Sequence, residues 1–200
     1  SKQPMTDTEL AEAQVELPLL AAPRAEVFLV ETTEELEEAV ATLAAAKGAF
    51  AVDAERASGF KYSQRAYLIQ VYRAGSPIYL IDPAAIAPTT DRAPFVALAE
   101  VMSTAPWILH AASQDIPCLR ELGLEAPSLF DTELGSRIAG LDRVGLGAVT
   151  EALLGVRLAK EHSAVDWSTR PLANDWLNYA ALDVDVLFDL WNAVEAVLIE

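Results

Sequence analysis

Val52-Asp53-Ala54-Glu55 carries two carboxylates at i and i+2 where an apolar run ends. If that run is a β-strand, alternation sends both side chains to one face. Two acids so placed repel each other unless a cation sits between them, and carboxylate oxygens are the usual ligands of hard divalent ions. The pair points to a metal site, although an isolated pair of this kind also serves simply to solvate a strand end.

Two other segments bring acids of the same sort. Leu109-His110-Ala111-Ala112-Ser113-Gln114-Asp115 places a carboxylate just inside a helix that follows an apolar strand, where the helix dipole favours an anion. Tyr179-Ala180-Ala181-Leu182-Asp183 stacks a phenol and a carboxylate one turn apart on a single helix face, and small Ala180 and Ala181 let that face approach a sheet closely. Taken singly, these are a helix-start acid and a half-buried helical face. Asp185 and Asp189 fall on other faces and read as surface charges.

Other chemistries fail on inventory. Cys118 is the single cysteine and, with only His110 and His162 beside it, cannot complete a structural zinc site or an internal disulfide. It reads as core packing. No phosphate-binding loop of the G-x-x-x-x-G-K-[ST] type occurs, and Gly145-Leu146-Gly147 lacks the third glycine of a dinucleotide fingerprint, so these glycines read as loop and helix-start residues. Any functional metal must be held by oxygen.

The elements that must position the acids alternate along the chain. Glu26 to Val30 reads as a strand, and Thr32 caps a helix that runs to Lys47-Gly48. Strands follow at Ala49 to Asp53, Tyr67 to Tyr72 and Ile78 to Ile81, an order that suggests an antiparallel meander. Helix Pro94 to Ser103, strand Trp107 to His110, helix Gln114 to Leu122 and helices near 132–139 and 146–154 come next, and one long helix spans Ala173 to Leu198. The fold class is α/β, a mixed sheet flanked by helices. Residues 1–24, rich in proline and acids, read as a flexible leader, and 25–200 as one domain.

With 52% apolar residues in 200, the chain can fill one sizeable core. Its apolar stretches fall far short of the roughly 20 residues of a membrane span, and no signal segment opens it, so the expectation is a soluble, cytoplasmic protein with no membrane partner. A net charge of −16 argues against a generic nucleic-acid binder, because Lys and Arg contacts to phosphate normally supply most of the non-specific affinity. Charge is unevenly placed, however. From Arg56 to Arg73 the chain carries Arg56, Lys61, Arg65 and Arg73 among Phe60, Tyr62, Tyr67 and Tyr72 with no acid, a basic and aromatic strip on a globally acidic chain.

In order and with their flanks, these segments resemble the ribonuclease D branch of the DEDD exonuclease superfamily, in the subgroup whose third motif carries a tyrosine. Asp53-Ala54-Glu55 resembles the first motif, where the middle residue is more often Thr. Leu109-His110-Ala111 leading to Asp115, then Phe130-Asp131-Thr132, resembles the second, with Asp131 a helix cap or a partner of the metal ligands. Asp166-Trp167-Ser168-Thr169-Arg170-Pro171-Leu172 joined to Tyr179 and Asp183 resembles the third, with Leu158-Ala159-Lys160-Glu161 similar to the segment upstream. The match covers roughly residues 26 to 195.

The resemblance implies a ribonuclease H-like fold and a 3′-to-5′ exoribonuclease that releases nucleoside 5′-monophosphates, in processing of structured, transfer-RNA-type 3′ ends. It implies two divalent ions, Mg²⁺ or Mn²⁺, one held by Asp53, Glu55 and Asp183 and the other by Asp53 with Asp115 nearby, while Tyr179 orients the attacking water. His110, Phe60, Tyr62, Arg65, Gln70 and Arg170 are the expected substrate contacts, although Arg170 before proline also reads as a surface ion pair. The expected partner is the single-stranded 3′ end of RNA, acted on by a monomer. A DNA exonuclease, or a non-catalytic RNA-binding module on the same fold, are the alternatives. Such proteins often carry helical RNA-binding domains after the nuclease.

Overall fold

The computed structural model of the protein describes residues 16–57, 59, 64–89, 91–159, 162 and 164–199. In chain order its elements are β1 (Leu19–Leu20), β2 (Val27–Val30), α1 (Thr33–Ala45), β3 (Phe50–Arg56), β4 (Ala66–Arg73), β5 (Ile78–Ile81), α2 (Pro83–Ile86), a 3₁₀ turn (Ala93–Phe95), α3 (Val96–Met102), β6 (Trp107–Leu109), α4 (Ala112–Glu121), β7 (Leu129–Asp131), α5 (Thr132–Ile138), α6 (Leu146–Leu154), β8 (Arg157–Leu158), α7 (Asn174–Asp185) and α8 (Leu187–Ile199).

One six-stranded sheet runs in the order β2-β5-β4-β3-β6-β7. Strands β3, β4 and β5 form the expected antiparallel meander, and β2, β6 and β7 each join a neighbour in parallel. The central position of β3 follows from its sequence. Phe50, Val52 and Ala54 on one face and Ala51 on the other are all buried, the pattern of a strand covered on both sides.

Alternation along β3 divides two apolar layers. Phe50 and Val52 pack with Leu36 and Leu43 of α1, Leu98 and Met102 of α3, and Cys118 and Leu119 of α4. Ala51 joins Leu68, Leu80, Val149 of α6, Trp167, Ala180 and Val184 of α7, and Leu187 and Leu190 of α8. Cys118 is a core residue, as its isolation in the sequence suggested. Each large side chain removed from water in these layers contributes about 1.5–3 kcal/mol before conformational entropy is set against it. Asp53 and Glu55 continue the Ala51 side, so alternation delivers both carboxylates under α7.

Local signals set the helix starts. Thr32 Oγ1 accepts from Glu35 N at 3.1 Å, and the Glu35 carboxylate accepts from Glu31 N at 3.1 Å, a reciprocal cap. Asp131 accepts from Glu133 N at 2.9 Å and so begins α5.

Two expectations are corrected. The single helix foreseen over 173–198 is broken at Val186: before the break α7 crosses β3, β4 and β5, and after it α8 packs on α5, α6 and β6. Neither Pro nor Gly marks the break, and the apolar rhythm runs through it, so the sequence carried no signal. The leader foreseen for 1–24 is also too long. Leu19 and Leu20 pair in parallel with Arg157 and Leu158, Asn178 Nδ2 donates to Ala21 O at 2.7 Å, and Arg24 bonds Asp185 and Asp189. Residues 1–15 lie outside the described residues. Among the described residues no helix is long and apolar enough to cross a membrane.

Candidate active site

Three elements converge at the end of β3. Asp53 and Glu55 come from β3, Asp115 from the first turn of α4, and Tyr179 and Asp183 from the face of α7 that lies on the sheet. One carboxylate oxygen from each of Asp53, Glu55 and Asp183 falls within 4.8 Å of the other two. Asp53 hydrogen-bonds both Asp115 and Asp183, and the Tyr179 hydroxyl donates to Asp183. The structure thus brings together at one site the four acids and the tyrosine singled out from the sequence.

Why the acids meet is local. Ala180 and Ala181 are fully buried, so α7 lies close enough to the sheet for the Gln70 amide to donate to Ala180 O at 3.2 Å. Asp115 owes its place to Ala111, which adopts a left-handed conformation at φ 61° just before α4. A non-glycine residue there costs about 1 kcal/mol. The Asp131 carboxylate offsets it by accepting from Ala111 N and Ala112 N, both at 3.0 Å. Asp131 therefore acts as cap and as support for the Asp115 helix, as its position beside the second motif suggested.

Electrostatics identifies what the cluster wants. Burial, then the Asp53 charge, holds Glu55 and Asp183 well above the usual carboxylate range, and the same causes push Asp115 up to about 10. Burial also raises Asp53, against hydrogen bonds from Asp115 and Asp183. Among the described residues no Lys or Arg forms an ion pair with any of the four. Their donors are neutral: the Gln70 amide, Ala54 N at 2.8 Å from Asp53 Oδ1, and the Tyr179 hydroxyl. Hard oxygen donors, buried at Glu55, Asp115 and Asp183 and half-buried at Asp53, convergent and short of positive charge, fit a divalent cation.

A cleft of about 330 Å³ opens over the acids, lined also by Arg56, His110, Gln114, Glu133, Gly145 and Leu146. The structure redistributes the expected substrate contacts. His110 lines the cleft, but burial lowers its pKa and both ring nitrogens meet protein: Nε2 bonds Val144 O and Nδ1 bonds Thr132 Oγ1, each at 2.8 Å. Gln70 is fully buried and holds the acids instead of reaching solvent. Arg65 donates to Ala87 O at 2.6 Å and Pro88 O at 3.0 Å. Arg170 ties the third motif down, donating to Asp82 Oδ2 at 2.8 Å and Tyr67 O at 2.9 Å, so of its two readings the ion pair is the one found. Phe60 and Tyr62 lie outside the described residues, as do Lys160 and Glu161. Glu133 and Leu146 of the cleft were missed, since a helix N-terminal acid and a lone apolar residue carry no sequence signal of a site.

A mixed sheet in this order, with buried carboxylates at the end of its central strand and on the two helices flanking it, defines the ribonuclease H-like class of carboxylate metal centres. Within that class the chain belongs to the 3′-5′ exonuclease domain family, which it matches over residues 27–199. Ribonuclease D of Haemophilus influenzae is 36% identical over 158 residues, which are 78% of this chain and 38% of that protein. A Bifidobacterium adolescentis protein of known structure is 46% identical with a TM-score of 0.85, over 92% of this chain and 44% of that one. Escherichia coli RNase D, described as an exoribonuclease involved in structured RNA processing, is 29% identical with a TM-score of 0.69, over 86% of this chain and 46% of that one. The chain spans less than half the length of each. The likeness to ribonuclease D expected from the motifs is borne out.

Proposed function

We propose that this domain is a 3′-to-5′ exoribonuclease that works with two divalent cations, Mg²⁺ or Mn²⁺, and removes nucleoside 5′-monophosphates from the single-stranded 3′ ends of structured RNA of the transfer-RNA type. The observation that carries the reading is the convergence of Asp53, Glu55 and Asp183 oxygens within 4.8 Å beneath an open cleft. Asp53 and its neighbour Asp115 offer the place for a second ion. The ribonuclease D relatives support RNA over DNA as substrate.

The chain's own groups have distinct tasks. Asp53, Glu55 and Asp183 fix the coordination geometry, and Gln70 and Ala54 N–H hold two of them in orientation. The Tyr179 hydroxyl, anchored on Asp183, orients the attacking water and takes part in moving its proton. When bound, the cations lower the pKa of water and neutralise charge on the scissile phosphate. One P–O bond forms to water while the bond to the preceding 3′ oxygen breaks, and that oxygen leaves with a proton. Geometry is most of what the protein must supply.

The test is incubation with 5′-labelled single-stranded RNA and Mn²⁺, with EDTA and Asp183→Ala as controls and DNA of the same sequence alongside. A ladder shortening from the 3′ end only in the metal lane supports the reading. Intact RNA at high protein concentration overturns it, and faster shortening of the DNA strand reassigns the substrate.

A further inference from the structure

Substrate recognition by this cleft poses an electrostatic problem. RNA brings a negative charge at every phosphate, the chain carries −16, and the floor of the cleft is a cluster of buried acids. Cations bound to those acids serve the scissile phosphate, but a register on the strand also needs a fixed positive group nearby. Of the arginines that the sequence offered for this, Arg65, Arg73 and Arg170 are committed elsewhere, as is Arg24. Arg65 is held on the carbonyls of Ala87 and Pro88, Arg170 on Asp82 and Tyr67 O, and Arg24 on Asp185 and Asp189. Arg73 is buried on Leu43 O and Gly48 O with its guanidinium 4.4 Å from the centre of the Phe50 ring.

Arg56 differs. Among the described residues it is the one Lys or Arg that lines the cleft. It ends β3 immediately after Glu55, where the ladder with β4 slips by one residue, so Glu55 faces Leu68 while Arg56 faces Ala66. Such bulges re-aim side chains beside active sites. Its guanidinium makes one hydrogen bond, from Nη1 to Gln64 Oε1 at 3.0 Å on the exposed side, and no ion pair among the described residues. It stays close enough to the acids for its charge to oppose the upward shifts of Glu55 and Asp115. A planar guanidinium with donors left over, beside but not bonded to the carboxylates, matches the fork geometry of a phosphate.

We propose that Arg56 is a substrate-binding residue that grips a backbone phosphate of the RNA 3′ end and sets the strand's register over the acids. The proposal rests on the exonuclease reading above and adds to it the residue that binds phosphate. Arg56 touches the substrate and does not hold the metal, so its loss weakens binding of every sequence alike and leaves the chemical step nearly intact.

The experiment compares wild type, Arg56→Gln and Arg56→Lys on one 5′-labelled single-stranded RNA in Mn²⁺ across a series of salt concentrations. Calorimetric Mn²⁺ titration of each protein without RNA and a thermal unfolding scan accompany it. One phosphate contact is worth about 0.7 in the slope of log affinity against log salt for a single strand. Arg56→Gln should raise KM about tenfold, change kcat by less than about threefold and flatten the salt slope of kcat/KM by about 0.7, with Mn²⁺ affinity and unfolding temperature retained and the charge-conserving Lys variant recovering most of the slope. An unchanged salt slope in Arg56→Gln, or a shift confined to Mn²⁺ affinity, overturns the proposal and assigns the guanidinium to the acids. Failure of wild type itself to shorten RNA overturns the exonuclease reading, and Arg56's role falls with it.

Discussion

Asp53 lies directly opposite Gln70 in the β3–β4 ladder, and the Gln70 amide donates to Asp53 Oδ2 at 3.4 Å, Glu55 Oε1 at 3.1 Å and Ala180 O at 3.2 Å. One buried side chain therefore sets the distance between two of the acids and the helix that brings the third. Gln70→Leu keeps the volume and removes the donor. Partners of metal ligands of this kind are worth about 10- to 100-fold in affinity. Mn²⁺ binding, followed by calorimetry, should weaken at least tenfold while the fold persists; an unchanged affinity would reduce Gln70 to a packing residue.

The carboxylates make stability depend on pH in a direction opposite to most acidic proteins. Asp53, Glu55, Asp115 and Asp183 are all held above their unfolded values by burial, Glu55, Asp115 and Asp183 also by the Asp53 charge, and Asp115 reaches about 10. A raised acid binds more protons folded than unfolded, so its stabilisation is present below the unfolded pKa, about 4, and is lost as pH rises toward the folded value. In EDTA the unfolding temperature should fall between pH 6 and pH 9. Mg²⁺ or Mn²⁺ should restore it, by more at pH 9 than at pH 6. An unfolding temperature in EDTA that climbs across this range would show that the acids do not dominate.

Tyr179 joins ring packing to a hydroxyl placed at the acids. Its ring stacks on Trp167 at 6.3 Å and meets the His162 ring edge-on at 5.8 Å, while its hydroxyl reaches Asp183. Tyr179→Phe retains the ring contacts and deletes the hydroxyl. General acid–base groups are worth about 10²–10⁴ in rate. The expected result on labelled RNA is a fall in kcat of about 100-fold or more with KM within a few-fold and Mn²⁺ affinity intact. A loss of less than threefold would remove Tyr179 from the chemical step.

The site was more legible in the sequence than the supports around it. Alternation at the end of an apolar strand made Asp53 and Glu55 candidates, and a shared helix face did the same for Tyr179 and Asp183, but each pair alone also suits an ordinary surface, and the order of the motifs and their resemblance to ribonuclease D singled them out. The meander was legible locally, since its strands are short, apolar and separated by turn residues. Side chains acting at long sequence separation were not. Gln70 sits in a strand pattern that would suit any residue, and its role depends on α7, 110 positions further on. Asp185 read as a surface charge because nothing local places it, yet it is buried against Arg24, 161 positions away. The break at Val186 was silent because α7 and α8 keep one apolar rhythm across it.

That Arg24–Asp185 pair makes a prediction about the segment before β2. Arg24 Nε donates to Asp185 Oδ2 at 3.0 Å and Arg24 Nη2 to Asp189 Oδ2 at 2.8 Å, with the Asp185 side chain 2% exposed and that of Arg24 55% exposed. Solvent at the arginine limits what the pair itself contributes. Its removal strands a buried carboxylate, which costs about 1–3 kcal/mol. Arg24→Ala should therefore lower the urea midpoint, and Asp185→Asn in the same chain should recover part of the loss. Equal midpoints for wild type and Arg24→Ala would mean that Asp185 is satisfied from elsewhere.

Gly135 tests the packing of α5 on α8. It lies inside a helix, where alanine is favoured by about 1 kcal/mol, so propensity alone makes Gly135→Ala stabilising. A Cβ built there would stand 2.6 Å from Val194 Cγ1 and 3.7 Å from the Trp191 ring. Val194 is buried and β-branched, with little rotamer freedom in a helix, and cannot swing away. Overpacking of this kind costs about 1–3 kcal/mol, which outweighs the propensity gain. Gly135→Ala should lower stability in urea unfolding, and adding Val194→Ala, which empties the space the new methyl needs, should cost less than the two single changes summed. Strict additivity of the two, or a stabilised Gly135→Ala, would show that α5 and α8 move apart without penalty and that the close approach is not required to hold β7 and the Asp131 cap in place.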